Sequence, residues 1–211
     1  MYLIGDIGNS EIKVCLVNKK KKIFKRISFP TLNLSLKNLK KNFKPFNNNF
    51  LEVEKILFCS VVPNAFNLIK KFLKVKTNIK CFEIKQLNLS TIIKIKVNYD
   101  QVGSDRIANA ISLLNNKKNY IIVDLGTATT FDILIKKVYK GGIIAPGIKI
   151  SLNTLTDKAS LIPKINLKKI NKIIGKDTIT AVRSGFFWGY AGLIDNIINL
   201  IKKETRKSFK V

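Results

Sequence analysis

The stretch that decides the fold is residues 2–17, YLIGDIGNSEIKVCLV, in which two apolar segments flank a short polar turn, Gly8-Asn9-Ser10. Apolar and polar residues alternate through the second segment, which is the period of a β-strand with one buried face. Residues 2–7 and 11–17 are therefore predicted to form two strands joined by a tight turn. An aspartate stands at the end of the first strand, beside the turn.

The same pattern returns more than half the chain later. Asp6-Ile7-Gly8-Asn9-Ser10 and Asp124-Leu125-Gly126-Thr127-Ala128 both give an aspartate, an apolar residue, a glycine, a polar residue and a small residue, after an apolar segment. Two copies of one strand–turn–strand unit indicate two related halves that face a common cleft. Chance is the alternative, because aspartate and glycine are common in turns of every kind.

Outward from these turns, the chain alternates between strand and helix patterns, which predicts a mixed α/β fold. The other predicted strands are apolar segments bounded by turn residues, at 23–28, 55–62, 79–84, 91–97, 120–124 and 131–135. An exposed loop is predicted at 42–49, and a helix from Asp105 with Ser104 as its N-cap. Residues 141–147 are predicted to form a further hairpin and helix entry, either as a structural turn or in direct contact with a ligand. Helical patterns follow, the last of them over 177–203.

Each of the two repeated turns has the composition of a phosphate-binding loop. A glycine after an aspartate lets backbone N–H groups approach a phosphate with no Cβ in the way. Ser10 in one copy, and Thr127, Thr129 and Thr130 in the other, add hydroxyl donors, and the aspartates could hold a cation against phosphate oxygens. A plain hairpin turn is the alternative for either copy alone. The sequence G-x-x-x-x-G-K-[ST] is absent, which excludes a P-loop.

The segment Gly103-Ser104-Asp105-Arg106 is a second candidate site, at the start of a predicted helix. Asp105 could accept the proton of a substrate hydroxyl while Arg106 binds a negatively charged group. The alternative is that Asp105 only stabilises the first helical turn through its interaction with the helix dipole.

The composition is that of a globular protein, expected in the cytoplasm. Of the 211 residues, 46% are hydrophobic and 25% are charged, which excludes a disordered chain. No apolar run approaches the ~18 residues that span a bilayer, and the N-terminus does not resemble a signal peptide. The three cysteines show no close spacing, which favours reduced thiols over a disulfide framework or a zinc site.

The charge balance is strongly basic, with 39 lysines and arginines against 13 acidic residues and a net charge of +26. Such an excess first suggests a nucleic-acid partner. Only four of these residues are arginines, the side chain that reads bases most often, and the lysines are spread along the whole chain. Nucleic-acid binding is therefore not expected as the main function. The chain has no histidine, which excludes histidine-based acid–base catalysis and histidine metal sites.

Six segments, taken in order, resemble those of the type III pantothenate kinases, members of the sugar kinase/Hsp70/actin superfamily. They are D-x-G-N-[ST] at 6–10, S-V-V-P at 60–63, Tyr99 with G-x-D-R at 103–106, D-x-G-T-A-x-T at 124–130, G-G-x-I-x-P-G at 141–147, and G-x-x-T…S-G at 175–185. Each motif is modest alone, but their order and spacing together are specific. The resemblance extends over most of the chain.

The resemblance implies a fold of two related ribonuclease-H-like domains of the actin-like ATPase type. Each would be a mixed sheet flanked by helices, with the active site in the cleft between them. Residues 1–106 would form the N-terminal domain with the first phosphate loop. Residues 107–211 would form the C-terminal domain with the second phosphate loop and the dimerisation helices.

The resemblance also implies ATP-dependent phosphorylation of the pantothenate hydroxyl to 4'-phosphopantothenate, the first step of coenzyme A synthesis, by a cytoplasmic homodimer. Mg²⁺ would accompany ATP. Asp105 would accept the hydroxyl proton, and Asp124 would hold a required monovalent cation, K⁺ or NH₄⁺. The ATP-binding residues would be Asp6, Ile7, Gly8, Asn9, Ser10, Glu11, Ile12, Lys13 and Thr127. The pantothenate-binding residues would be Tyr99, Gly103, Ser104, Arg106 and Thr178, the last of them reaching across the dimer interface.

Two positions depart from the family pattern. Ser10 stands where threonine is commoner, and it keeps the hydroxyl. Asp177 stands where asparagine usually precedes the substrate-binding threonine, so it adds a negative charge near an anionic substrate. Two other functions stay open on the same superfamily fold: a non-catalytic accessory transcription factor, and a kinase of another small hydroxylated acid or sugar.

Overall fold

The computed structural model describes residues 1–115 and 117–211. These residues divide into two units, Met1–Ser112 and Leu113–Val211, and both contain strands and helices. The domain boundary expected between residues 106 and 107 falls inside the helix Ser104–Ser112 of the first unit. Because the two units are distinguished by packing alone, the functional domains stay a prediction.

The first unit is built on a five-stranded sheet. Its strands are β1 (Tyr2–Ile7), β2 (Glu11–Val17), β3 (Ile23–Pro30), β4 (Lys55–Ser60) and β5 (Cys81–Glu83), in the spatial order β3-β2-β1-β4-β5. β1 pairs antiparallel with β2 and parallel with β4. The bounds of β1 and β2 confirm the two strands predicted from residues 2–17.

The helices of this unit are α1 (Leu36–Asn42), between β3 and β4, α2 (Pro63–Thr77), between β4 and β5, and α3 (Ser104–Ser112), after β5. Shorter 3₁₀ segments lie at Lys44–Glu52, Ile84–Gln86 and Tyr99–Gln101. The strand β6 is only Lys94–Ile95, so the strand predicted over 91–97 is much shorter than expected. Pro63 lies in the first turn of α2, where its missing N–H costs no helical hydrogen bond.

A large hydrophobic cluster of the first unit lies on one face of the sheet. Alternate residues of β2, Ile12, Val14 and Leu16, are fully buried, as the period of two predicts. They belong to one hydrophobic cluster with Leu39 of α1 and Ile69 of α2. Asp6 precedes the buried Ile7 in β1, so its side chain leaves the opposite face of the sheet.

The exposed loop predicted at 42–49 is wrong. This segment runs into a 3₁₀ helix, Lys44–Glu52, and Phe43, Phe46 and Phe50 are buried. The ring of Phe43 lies 5.2 to 6.4 Å from four other phenylalanine rings: Phe29, Phe46, Phe50 and Phe72. The asparagines and the proline predict a loop, but the phenylalanines recur every three to four residues, which is the spacing of one helical face.

The second unit is built on the antiparallel strands β7 (Asn119–Leu125), β8 (Ala128–Ile135) and β9 (Val138–Pro146), with β8 in the middle. Lys210 adds a parallel bridge to Tyr120 of β7. The helices are α4 (Ile148–Lys158) and α5 (Thr178–Thr205). No helix within residues 1–115 and 117–211 combines the length and apolar character of a transmembrane span.

The hairpin predicted at 141–147 is wrong, because Gly141 and Gly142 lie inside β9, whereas the predicted helix entry is confirmed, because α4 begins directly after Gly147. Gly141 has a positive φ of 113° and sits beside a shift in the register between β8 and β9. Such a bulge takes an extra residue into one strand, and glycine adopts the required backbone conformation without strain. The glycine pair therefore marks a bulge within a continuous strand.

Candidate active site

The first repeated turn is a closed hairpin between β1 and β2. The Gly8 N–H donates to the Glu11 carbonyl oxygen at 3.0 Å. Thr31 secures the turn from outside: its hydroxyl donates to the Gly8 carbonyl at 2.7 Å, and its N–H donates to the Ser10 carbonyl at 3.1 Å. Asn9, Ser10 and Glu11 are exposed, so the tip of this loop is open to a ligand. Thr31, which follows β3, carries no motif in the sequence that would indicate this role.

The second repeated turn, between β7 and β8, is also a closed hairpin, but its loop is shorter: it spans residues 126–128, whereas the first spans residues 8–11. The Gly126 N–H donates to the Ala128 carbonyl at 3.0 Å. Asp124 and Thr127 are exposed. Thr129 is buried, so its hydroxyl is not at the surface where a ligand donor was expected. The repeated sequence pattern thus corresponds to two hairpins that differ in loop length.

Gly147, which follows β9, supports the second turn through a close backbone approach. Its N–H donates to the Thr127 carbonyl at 3.2 Å. A Cβ built on Gly147 would lie 2.3 Å from the Thr127 oxygen and 2.4 Å from the Gly126 oxygen. Such distances leave no room for a side chain, so the last glycine of the 141–147 motif fixes the position of Thr127.

Cys59 lies beside Asp6 and was not singled out by the sequence. The two residues are in register on the neighbouring strands β4 and β1, and the Cys59 thiol donates to Asp6 Oδ1 at 3.4 Å. Burial, followed by the negative charge of Asp6, raises the pKa of Cys59 well above its usual range. The thiol therefore stays protonated and acts as a neutral donor to the carboxylate.

Ser104 ties the start of α3 to the end of β4. Its hydroxyl accepts from the Ser60 N–H at 2.7 Å and donates to the Ser60 carbonyl at 2.8 Å, and the residue is only 1% exposed. The N-cap role predicted for Ser104 is wrong, because Ser104 is the first residue of α3 and its hydroxyl is engaged by β4. A pantothenate contact of Ser104 stays a prediction.

Asp105, one residue later, is half-buried, and its Oδ1 accepts from the Arg106 N–H at 2.8 Å. Its charge contributes to the raised pKa of Cys59, as the charge of Asp6 does. The charges of two of the predicted aspartates, from β1 and α3, thus act on the same thiol, and Asp6 also accepts its hydrogen bond. Asp6 and Cys59 also line a cavity of about 380 Å³, with Ala108 of α3 on its wall.

Tyr99 lies in the 3₁₀ turn that leads toward α3. It is half-buried, and its hydroxyl donates to the Lys85 carbonyl at 3.3 Å. Burial, together with the charges of Glu83 and Asp100, raises the pKa of Tyr99 above its usual value. The phenol is therefore neutral at ordinary pH and can donate a hydrogen bond. Arg106, like Tyr99, is half-buried within the first unit.

Asp177 is the N-cap of α5. Its Oδ1 accepts from the Thr180 N–H at 2.8 Å, and the Thr180 hydroxyl accepts from the Asp177 N–H at 3.2 Å, which forms a capping box. The hydrogen bonds from Thr180 lower the pKa of Asp177. The extra negative charge at this position thus stabilises the positive end of a 28-residue helix. Thr178 is the exposed first residue of that helix.

The rest of the 175–185 motif attaches the preceding segment to α5. The Ser184 hydroxyl donates to the Ile173 carbonyl. A Cβ built on Gly175 would lie 2.2 Å from the Ala181 nitrogen, so only glycine allows this approach. The motif therefore sets where the start of α5, and with it Thr178, lies in the second unit.

Comparison with known proteins decides the family. A family model described as type III pantothenate kinase matches residues 2–200. The chain belongs to this family. It is 62% identical to the type III pantothenate kinase of Pelagibacter ubique over 211 residues, which is all of this chain and 85% of that protein. It is 33% identical to that of a Sulfurihydrogenibium species, over all of this chain and 86% of that protein.

A solved structure supports the fold of this pantothenate kinase family member. A Campylobacter jejuni protein described as a conserved Baf family transcriptional activator aligns with a TM-score of 0.52 and 24% identity, over 92% of this chain and 78% of that one. At this identity the likeness shows the fold alone. With the two units described above, it confirms the predicted mixed α/β fold class.

Proposed function

We propose that this chain transfers the terminal phosphoryl group of ATP to the hydroxyl of pantothenate, and that Asp105 accepts the hydroxyl proton. Family membership supports the reaction. The observation that carries the role of Asp105 is the attachment of its helix: the Ser104–Ser60 hydrogen bonds fix the start of α3 to β4, the strand whose Cys59 donates to Asp6 of the first phosphate loop. Phosphoryl transfer needs positioning and charge stabilisation more than covalent help from the protein.

The Asp105 carboxylate is oriented for this role by its own backbone. Its Oδ1 accepts from the Arg106 N–H, and within the described part of the chain Oδ2 accepts no hydrogen bond. One oxygen is thus fixed while the other can accept a proton from a bound hydroxyl. The Arg106 side chain would bind a negatively charged group of the substrate, with Tyr99, Gly103, Ser104 and Thr178 as further contacts.

The exposed tip of the first hairpin would bind the ATP phosphates. The Gly8 N–H closes the turn, while the exposed residues 9–11 present their backbone and the Ser10 hydroxyl, and Lys13 adds a positive charge two residues into β2. Asp6, Ile7 and Ile12 complete the segment expected to bind ATP, but the side chains of Ile7 and Ile12 are buried in the core, so these two residues would support the loop from within. Thr127, at the exposed tip of the second hairpin, would contact ATP as well.

Asp124 would hold the monovalent cation. In residues 1–115 and 117–211, no three histidine, cysteine or acidic side chains are grouped so that they could bind a metal ion. A single exposed carboxylate beside the carbonyls of a tight turn suits a hard cation that completes its shell with ligand oxygens. The cation would offset the negative charge of the phosphates, and Mg²⁺ would arrive with ATP.

We also propose a homodimer that works in the cytoplasm. Only Ser184, Ile198 and Ile201 of the long helix α5 are buried, while Trp188 is 42% exposed. Gly185, Gly189 and Gly192 have open space where a Cβ would lie, so another backbone could approach this face closely. The three cysteines are free thiols, as is usual in a reducing compartment.

The test is ADP release by the purified protein with MgATP, with and without pantothenate, in K⁺ and then in Na⁺ buffer. Pantothenate-dependent turnover that requires K⁺ is expected. Turnover in Na⁺ alone would contradict the cation requirement, and turnover only with another hydroxylated acid or sugar would identify a different substrate. If the folded protein shows no turnover and binds duplex DNA even at about 200 mM salt, the non-catalytic accessory transcription factor is favoured.

A further inference from the structure

Lys85 lies outside every motif, yet it contacts residues 99–102, the short segment that precedes Asp105. Its Nζ donates to the backbone carbonyls of Asp100 and Val102, each at 3.1 Å. The same Nζ lies 5.0 Å from the centre of the Tyr99 ring, within the range of a cation–π interaction. The Tyr99 hydroxyl donates to the Lys85 carbonyl in return. One side chain therefore contacts both ends of this short segment.

The backbone beneath Lys85 is itself fixed by a capped turn. The Glu83 carboxylate accepts from the Lys85 N–H at 2.8 Å, and the Gln86 side-chain oxygen accepts from the Glu83 N–H at 3.2 Å. Glu83 is the last residue of β5, which pairs parallel with β4. Lys85 thus extends from a rigid edge of the sheet and not from a free loop.

The position of the segment bears directly on the site. Residues 99–102 lead through Gly103 into the first turn of α3, where Asp105 and Arg106 lie. β4 holds that turn separately, through the hydrogen bonds between Ser60 and Ser104. Without the Lys85 ammonium, the carbonyls of residues 100 and 102 lose their charged donor, and the attachment of the turn to β4 remains while the segment before it is released.

We infer that Lys85 is a positioning residue for the pantothenate-binding edge of the site, formed by Tyr99 and residues 103–106. The inference rests on the proposed function, which assigns those residues to pantothenate. Lys85 does not contact the reacting atoms; it fixes the backbone that carries the groups that do. Its loss therefore affects the KM for pantothenate and leaves the KM for ATP unchanged.

The test is steady-state kinetics of Lys85→Met, which keeps the aliphatic stem and removes the three donors. The KM for pantothenate is expected to rise by about tenfold to a hundredfold, because small displacements of positioning groups have effects of this size. The KM for ATP and the melting temperature are expected to stay near wild type. Lys85→Arg, which keeps the charge and can donate to both carbonyls, is expected to restore most of the KM.

Lys80→Met is the matched control. Lys80 lies just before β5, and its Nζ is 4.8 Å from the centre of the Phe82 ring, so the substitution also removes one charge and one ring contact. Within the described residues, Lys80 makes no hydrogen bond to the segment 99–102. Its KM for pantothenate is expected to equal that of wild type.

Equal KM values for pantothenate in the Lys85→Met and Lys80→Met enzymes would overturn the inference. A parallel rise in the KM for ATP would do the same, since it indicates general distortion. If Lys85→Met does not fold, Lys85→Gln replaces it with the same expected result, and failure of both to fold would assign Lys85 to stability alone. An inactive wild type would contradict the proposed function, and this inference with it.

Discussion

Two neutral side chains, Cys59 and Ser104, place the carboxylates of the candidate site. The Cys59 thiol, whose pKa is raised by burial and by the charge of Asp6, donates to Asp6 without adding charge. The Ser104 hydroxyl uses both its donor and its acceptor on the backbone of Ser60, the residue after Cys59. Asp6 and Asp105 are thus fixed relative to one strand, β4. Fixed geometry of this kind is what an oriented proton acceptor requires.

Asp105→Asn is expected to fold normally and to lose most of its activity. The amide keeps the size of the carboxylate but cannot accept the hydroxyl proton, so turnover is expected to fall by about 10²–10⁴-fold. The measurement is pantothenate-dependent ADP release, with the melting temperature recorded in parallel. Asp100→Asn is the matched control, since it removes an exposed carboxylate close to Tyr99 and should leave turnover unchanged. Wild-type turnover in Asp105→Asn would remove Asp105 from the mechanism.

The sequence could single out the aspartates but not the residues that position them. Only 13 acidic residues occur in the chain, so a carboxylate beside glycine at a strand end is conspicuous. Lys85 is one of 39 basic residues, and its role depends on a capped turn that brings its Nζ to carbonyls of residues far along the chain. No local pattern signals such a contact, because it is created by tertiary packing.

Among the elements, strands were predicted well where apolar residues alternate and poorly where glycine, proline or asparagine interrupt them. β1 and β2 have the predicted bounds. The asparagines and proline of 42–49 predict a loop, although the phenylalanines of this segment are buried. The glycine pair of 141–147 predicts a turn because glycine is common in turns, whereas Gly141 occupies a bulge within β9. Local composition did not show which backbone would be covered by packing.

Gly147→Ala is expected to destabilise the second unit and to weaken ATP binding. The new Cβ would lie 2.3 Å from the Thr127 oxygen, so the second phosphate loop must move, at a cost of about 1–3 kcal/mol. Urea unfolding measures the stability, and the KM for ATP reports the loop. Gly126→Ala is the control for stability, because its Cβ would lie 3.7 Å from the nearest atom, the Ala128 oxygen. Equal unfolding midpoints for the two variants would contradict this steric reading.

Asp177→Asn is expected to remove the pH-dependent part of the stability that the N-cap of α5 contributes. Hydrogen bonds from Thr180 lower the pKa of Asp177, so the charged form is favoured in the folded state. This contribution to stability is present above the carboxyl's unfolded pKa of about 4 and is lost as the pH falls through the lower folded value. The asparagine still caps the helix, without that titration. Melting curves from pH 7 to pH 2 measure the difference; identical pH profiles for both proteins would show that the cap carries no charge effect.

For the whole molecule, the net charge of +26 leaves most lysines with no carboxylate to pair with. The ion pairs formed by Glu11 and Glu54 lie at the surface, so they contribute little to stability. The lysines are spread along the whole sequence, through both units, and are not concentrated in one segment. Charge of this kind attracts polyanions without selecting among them.

Binding to duplex DNA is therefore expected at low salt and is expected to vanish as salt rises. Attraction through phosphate contacts alone falls by about 10³–10⁵-fold between 50 and 200 mM salt, with no preference for sequence. Fluorescence anisotropy with two unrelated labelled duplexes measures this, while pantothenate-dependent ADP release is followed over the same salt range. Because the kinase site is built from fixed hairpins and hydrogen-bonded backbone, its turnover should change far less than the DNA affinity. Tight binding to one duplex at 200 mM salt would contradict a purely electrostatic origin, and would show that the lysine-rich surface recognises a defined nucleic-acid partner in addition to the reaction proposed for the site.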